Sequence, residues 1–311
     1  MGRLVVVGGL NMDIHLFGLR ESVGQAPLIA SRHLAEPGGK AGNVARAAAR
    51  MGAAVTLVAR VGADDFGHDC VAAAAADGVD VSGVVSTPDQ PTGFVAIRLD
   101  EGKHRSLVFS PGANAFLAWD DVAPHVAGLS PTDIVVAQAE LPPDTLTRLS
   151  EELVGRAVPM FLDPTPPDRV RRRHLVAAEV ITPDLVEAAQ LTGRQPSSRL
   201  WPVFAAGELR AAGARRVLLK AAEAGAVLLD DDGLREVPTA SVEVVDETGA
   251  GDVFLAALAV GRLEGEGWEQ ATTFANAAAA LSVSRVGLAL PDRQEVSGLA
   301  RTLGDPVPRE G

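Results

Sequence analysis

The sequence predicts an α/β protein built on a mostly parallel sheet with helices on both faces. Three observations carry this reading. Short apolar runs of strand length recur along the 311 residues. Ala-rich stretches of helical length alternate with them, the mark of a parallel sheet covered by helices. The apolar content is 47% with only 4% aromatic residues and no Tyr, so the core must be built mainly from Ala, Val and Leu. The whole chain, 1–311, is expected to fold as one domain, since α/β units often reach this size.

Taken in order, Leu4–Val7 reads as a buried strand, and Ala41–Met51 as a helix stopped by Gly52. Val55–Ala59 is a second strand, followed by a helix near Gly67–Asp77. Ile134–Ala137, Met160–Leu162, Val180–Thr182 and Val217–Leu219 repeat the strand pattern, each with a helical segment close by. Val242–Val245 is strand-like, and Val253–Leu263 is an apolar helical run. One stretch departs from the alternation. Thr92–Leu99 and His104–Phe109 flank Asp100-Glu101-Gly102-Lys103 and read as a hairpin. Such a hairpin is either an edge pair or a lid over a cleft, and its pattern alone does not choose. The tail Gly304–Gly311, with two Pro and two Gly, reads as loose.

The bulk properties exclude several functions. A net charge of -12 argues against nucleic acid or an anionic membrane surface as partner. Cys70 is the only cysteine, so neither an internal disulfide nor a Cys-based metal site is expected. The six His are scattered without an HxxxH pair. No apolar run reaches the roughly 18 residues of a membrane span, and the first strand is too short and weakly charged for a signal peptide. The expected location is the cytoplasm.

Three segments carry chemistry. The first is Asp246-Glu247-Thr248-Gly249-Ala250-Gly251-Asp252, which leads into the apolar helix. Small residues let backbone N–H groups approach an anion, and a helix N-terminus adds about half a positive charge. That arrangement suits the charge that develops on a transferring phosphoryl group. Asp252 within it is either a general base or an ordinary N-cap; the residues alone leave both open. The second segment is Pro37-Gly38-Gly39-Lys40-Ala41-Gly42-Asn43. It is not a P-loop, because Ala41 follows the Lys and no Gly stands at the required upstream position. It is an ordinary turn, or a turn whose Lys and Asn bind a polyol or a phosphate. The third, Gly8-Gly9-Leu10-Asn11-Met12-Asp13, follows the first strand, where open α/β sheets bind ligands. In an extended segment Asn11 and Asp13 point the same way and can share vicinal hydroxyls; otherwise they are a turn-forming pair.

Together these segments resemble the ribokinase family of small-molecule kinases, also called the PfkB family, from Val5 to about Pro291. Asp246–Asp252 matches the family's C-terminal signature, and Gly38-Gly39-Lys40 with Asn43 matches the N-terminal one, in the right order and spacing. Within the family the ribokinase pattern is nearest. The resemblance implies a ribokinase-like fold with a small β lid formed by segments near 14–35 and 92–109. It implies Asp252 as the base, with the amides of Gly249, Ala250 and Gly251 as the anion hole. It assigns Asn11, Asp13, Gly39, Lys40, Asn43 and Glu140 to the sugar; Gly112-Ala113-Asn114-Ala115 also resembles the ribokinase pattern. Asp184, Lys220, Ala222, Gly225 and Asn276 fall on the ATP side, with Glu187 acting on Mg²⁺ through water. Asp246 and Thr248 are candidates for holding a monovalent cation, potassium.

Three positions depart from the pattern. Asp184 stands where Asn is usual, Ala222 where a Gly approaches the ATP phosphates, and Pro291 where a Ser helps enclose the monovalent cation. The expected activity is ATP-dependent phosphorylation of a primary hydroxyl on a small sugar, ribose-like, by a homodimer. The alternatives are a nucleoside such as adenosine or pseudouridine, fructose, 2-keto-3-deoxygluconate, or a non-catalytic sensor on the same fold.

Overall fold

The computed structural model describes residues 2–19, 28–100 and 105–304. In chain order the elements are β1 (Leu4–Val7), β2 (Asn11–Leu19), β3 (Arg32–Gly38), α1 (Lys40–Arg50), β4 (Val55–Gly62), α2 (Asp65–Ala76), β5 (Asp80–Thr87), β6 (Gly93–Asp100), β7 (Arg105–Ser110) and α3 (Trp119–Val126). There follow β8 (Ile134–Gln138), α4 (Pro143–Arg156), β9 (Met160–Asp163), α5 (Arg172–Ala177), β10 (Val180–Ile181), α6 (Leu185–Thr192), α7 (Trp201–Ala211), β11 (Val217–Lys220), β12 (Ala226–Asp230), β13 (Gly233–Val237), α8 (Ala250–Leu263), α9 (Trp268–Val283) and α10 (Arg293–Gly304). The expected strands and helices through β11 all form, with ends that differ by a few residues.

Among the described residues the strands form two sheets. The large one has nine strands in the order β13-β12-β11-β10-β9-β8-β1-β4-β5. It is parallel from β5 to β11, and β12 and β13 close the far edge as an antiparallel pair. β1 lies inside, paired with β4 on one side and β8 on the other. The chain order reverses there, so a crevice opens beyond the C-terminal ends of β1 and β8.

The alternation along β1 shows how the layers are built. Leu4 and Val6 point into one core with the Ala-rich faces of α1, α8 and α9. Val5 and Val7 point into the other, which also holds Leu146, Leu149 and Leu153 of α4 and Leu209 of α7. A strand buried on both faces reads as an unbroken apolar run, as β1 does.

The hairpin is not an edge pair of the main sheet. β6 and β7 belong to a separate four-stranded sheet, in the order β3-β2-β6-β7. β2 runs antiparallel to β3 and parallel to β6. Part of the expected lid, residues 20–27, lies outside the described residues, as do the turn at 101–104 and the tail from 305. A second expectation needs correction. Val242–Val245 forms no strand, and Val244 and Val245 are exposed. The β-branched run has no sheet edge to join; instead the Val245 and Asp246 amides both donate to Val283 O at the end of α9.

Candidate active site

Two glycine turns lead into helices at the crevice, and they are wired differently. Gly39, at φ 84°, caps α1. The Ala41 and Gly42 amides both donate to Gly9 O, so this helix start is docked on the end of β1. Gly249, at φ 72°, caps α8. There the Ala250 amide makes a long bond of 3.3 Å to Glu247 O, while the Gly249, Gly251 and Asp252 amides donate to no acceptor among the described residues. The second helix start therefore leaves its amides open to an anion, and the first one presents side chains.

Those side chains converge on Asp252. It is the third residue of α8, not its cap, and it makes no capping bond. Asn43 Nδ2 donates to Asp252 Oδ2 at 2.8 Å. Lys40 Nζ stands 3.6 Å from Asp252 Oδ1, which has no hydrogen-bond partner among the described residues. Asp252 is thus not the cap of α8. Burial pushes the Asp252 carboxyl above the usual carboxylate range and the Asp163 charge adds to this, while Lys40, Asn43 and Lys220 oppose it.

Asp163 is the residue the sequence reading missed. It ends β9 and is 1% exposed, and Lys40 Nζ donates to its Oδ2 at 2.9 Å. Its Oδ1 accepts from the Thr165 hydroxyl at 2.8 Å. Burial works against its ionisation, but Lys40 and Lys220 hold it below the usual range. Lys40 is in turn held charged: burial opposes this, and the Asp163, Asp252 and Glu187 carboxylates outweigh it. Lys220, at the end of β11, brings its ammonium to the α8 start, about 3.2 Å from where a Gly251 Cβ would stand. The expected strand stopped at Leu162, one residue short of Asp163. The rule that directed attention beyond β1 applies equally to β9.

On the other side of Asp252, Asn11 and Asp13 lie in β2 and are both buried. Asn114 Nδ2 donates to Asn11 Oδ1 at 2.7 Å, and the Leu10 amide donates to Asn114 Oδ1 at 3.0 Å. Burial raises Asp13 to about 7, with the Asp252 and Glu36 charges adding and His15 opposing. Burial likewise raises Glu140 to about 7, with Lys40 pulling it down. Its Oε1 is buried without a partner and packs against Gly9. A cavity of about 240 Å³ opens here, lined by Gly9, Phe109, Asn114, Leu117, Glu140 and Arg169 among others. Cys70 is buried beside Asn11: burial pushes its thiol up to about 12, and it donates to Asn11 O.

Asp184 and Glu187 are engaged with each other. The Glu187 amide donates to Asp184 Oδ1 at 2.7 Å, and the Asp184 amide to Glu187 Oε2 at 2.8 Å. This is a capping box at the start of α6, a role that Asp fills as well as Asn. Glu187 Oε1 also accepts from the Thr165 hydroxyl. No group of three or more His, Cys, Asp or Glu among the described residues is arranged to hold a metal ion. An all-protein cage for Mg²⁺ does not fit this donor set. Attachment through water and substrate phosphates does, and it is the usual habit of this ion.

Two of the residues that the resemblance assigns to the ATP side, Gly225 and Asn276, lie against 237–239. A Gly225 Cβ would strike Val237 O, and Asn276 Nδ2 donates to Val237 O and Pro238 O, each at 3.0 Å. Asn276 therefore ties down backbone, leaving its amide oxygen as the free group. Ala222 has φ 50°, the left-handed region that glycine favours. The backbone thus keeps a glycine conformation with an alanine in place. Ala222→Gly is expected to stabilise the fold by about 0.5–1 kcal/mol, the relieved strain less the glycine entropy cost. A urea midpoint that falls would contradict this. Asp246 accepts from the Thr248 and Gly287 amides at 2.9 and 3.0 Å, bracing the loop before α8. Burial works against its ionisation, but the Thr248 hydroxyl and these amides hold its carboxyl below the usual range.

A model of the pfkB family carbohydrate kinases matches residues 1–295. The chain is 32% identical over 308 residues to a ribokinase of Bacillus subtilis (strain 168), covering 96% of this chain and 99% of that one. It is 28% identical over 300 residues to a bifunctional ribokinase/ribose-5-phosphate isomerase A of Fructilactobacillus sanfranciscensis, covering 95% of this chain and 56% of that protein. The solved structure of an Arabidopsis thaliana ribokinase complexed with ribose and ATP superposes with a TM-score of 0.88 at 29% identity, over 97% of this chain and 99% of that one. With its nine-stranded sheet, its small second sheet and both signature turns meeting at one carboxylate, the chain belongs to the pfkB family of carbohydrate kinases and is a sugar kinase, a phosphotransferase with an alcohol group as acceptor.

Proposed function

We propose that the chain transfers the γ-phosphoryl group of ATP to the primary hydroxyl of a ribose-like sugar, with Asp252 as general base. One observation carries this reading: Asp252 Oδ1 is buried at an open helix N-terminus and has no hydrogen-bond partner among the described residues, while Oδ2 is fixed by Asn43. A carboxylate so placed can take the hydroxyl proton during attack. The amides from Gly249 to Asp252 then face the transferring group, and Lys40 and Lys220 offset its charge. Mg²⁺, carried on the phosphates near Glu187, would supply further charge neutralisation. A potassium ion would be held beside Asp246 and Thr248. Asn11, Asp13, Asn43 and Glu140 line the acceptor side.

The small sheet acts as a lid in this proposal, excluding water from the transfer. Its edge strand β7 exposes Leu107, Val108 and Phe109, which favours pairing of two copies into a homodimer. No helix among the described residues is long and apolar enough to cross a membrane. The proposal places the reaction in the cytoplasm.

ADP release across D-ribose, D-fructose, 2-keto-3-deoxygluconate, adenosine and pseudouridine tests the acceptor. D-ribose should give the highest kcat/KM, and Asn11→Ala or Asp13→Ala should weaken its binding while sparing ATP. Calorimetry showing unchanged D-ribose affinity in both variants would remove the acceptor-site assignment. A sensor would bind sugar and release no ADP. Asp184, satisfied as a cap, and Ala222, with its glycine-like backbone, lend that reading little support.

A further inference from the structure

Two side-chain amides on the acceptor side are joined by bonds that allow only one orientation. Asn114 lies in the 3₁₀ turn Gly112–Phe116 that follows β7. The Leu10 amide donates to it at 3.0 Å, so the Asn114 atom there is the oxygen. Asn114 Nδ2 then faces Asn11 Oδ1 at 2.7 Å, Pro111 O at 3.0 Å and Leu10 O at 3.3 Å. Two of these are backbone carbonyls, which can only accept, so this side of Asn114 is the donor. The Asn11 atom that meets it is therefore also an oxygen. Asn11 is left with its own Nδ2 for any further contact. Gly93, paired with Asn11 at the start of β6, makes room for this bond. A Cβ there would strike both Asn11 Oδ1 and Asn114 Nδ2.

Asp13 stands two residues beyond Asn11 in β2, on the same face of the strand, and both are buried. Asp13 Oδ1 has no hydrogen-bond partner among the described residues. An ionised carboxylate only accepts, and an amide N–H only donates. Side by side, the two suit hydroxyl groups, which donate and accept at once. A ketone or an ether oxygen would satisfy Asn11 alone, and a deoxy carbon would satisfy neither.

We propose that Asn114 is a positioning residue that sets acceptor specificity: by donating to Asn11 Oδ1 it holds the Asn11 amide with its N–H groups towards the sugar, so that Asn11 reads hydroxyl lone pairs while Asp13 reads hydroxyl protons. The proposal rests on the reading of Asn11 as an acceptor-binding group. Asn114 itself touches no substrate in this scheme and acts through Asn11. A site built in this way rejects an analogue that lacks the hydroxyl, because its buried polar groups are then left unpaired. A clasp that merely ties the turn to β2 would weaken every sugar alike.

The test uses Asn114→Asp in the full chain. The carboxylate keeps the shape of the amide and still accepts from the Leu10 amide, but it has no N–H for Asn11 Oδ1. By calorimetry, D-ribose affinity should fall about tenfold with ATP affinity unchanged; an unchanged D-ribose affinity overturns the proposal. Among D-ribose analogues that each lack one hydroxyl, one should bind the wild type at least about tenfold more weakly than D-ribose, and that gap should close in Asn114→Asp. Equal weakening of D-ribose and all the analogues overturns the proposal. In an Asn11→Ala background Asn114→Asp should add little, whereas an effect of the new charge alone would survive there; a full additive loss overturns the proposal. Should Asn114→Asp fail to fold, the wild type decides. Asn11, Asn43, Asn114 and Asn276 are the only asparagines in the chain, so ¹⁵N-asparagine labelling isolates their side-chain amides. D-ribose should shift the Asn11 amide signals, and unmoved signals overturn the proposal. If Asn11→Ala leaves D-ribose binding intact, the acceptor-site reading fails and takes this proposal with it. If Asn11→Ala weakens binding and Asn114→Asp does not, this proposal alone fails.

Discussion

Asp252→Asn is expected to lower kcat by about 10²–10⁴, a barrier increase of about 3–5 kcal/mol, with the fold intact. The amide keeps the shape of the carboxylate and removes the lone pair that would take the hydroxyl proton. Stability should hold or rise. Burial raises the folded-state pKa of Asp252 above its unfolded value. The folded chain therefore binds that proton more tightly, and this carboxylate subtracts stability once the pH has risen through its folded pKa. Asparagine removes that cost at neutral pH. Single-turnover kinetics beside a thermal melt would check both halves. Near-normal turnover would end the assignment of Asp252 as base.

Lys40→Met should be damaging on both counts. Its ammonium joins Asp163 at 2.9 Å and Asp252 at 3.6 Å, two carboxylates that are themselves buried. Removing it leaves a buried charge without its partner, which costs about 3 kcal/mol, the low end of the usual range because the ammonium is partly open to solvent. Lys40 holds the Asp163 pKa down, so its contribution is fully present at neutral pH and is lost as pH falls through the Asp163 titration. The gap between wild type and Lys40→Met should therefore narrow in acid. Turnover should fall by about 10³ or more, since the positive charge at the anion hole goes with it. Denaturant melts at two pH values test the first statement. A gap that does not change with pH would refute the linkage.

Much of this site was legible because its parts are local. Gly249, Ala250, Gly251 and Asp252 follow one another in the chain, and so do Gly38, Gly39 and Lys40. Turn chemistry and helix starts can be read from such runs. The strands were legible because a doubly buried strand is an unbroken apolar run, as Leu4–Val7 is. Asp163 was missed because its importance arises from a contact with Lys40, 123 residues away in the chain. Asp184 was singled out for its charge, yet its carboxylate caps α6 by accepting from the Glu187 amide, which only the folded helix start presents to it. Val242–Val245 misled because β-branched residues favour a strand only where a sheet edge receives them. The pairing of Asp13 with Glu36 needed the register of β2 against β3, which no local pattern supplies.

The place of β1 inside the large sheet has a consequence for how the chain is made. Leu4 pairs with Val55 on one side and with Ile134 on the other. β1 therefore has no complete seat until about 130 more residues have followed it from the ribosome. At typical synthesis rates that is a wait on the order of 10 s. During this time a Val-rich segment stands open to other nascent chains, so yield in the cell should depend on chaperone supply as well as on the stability of the finished fold.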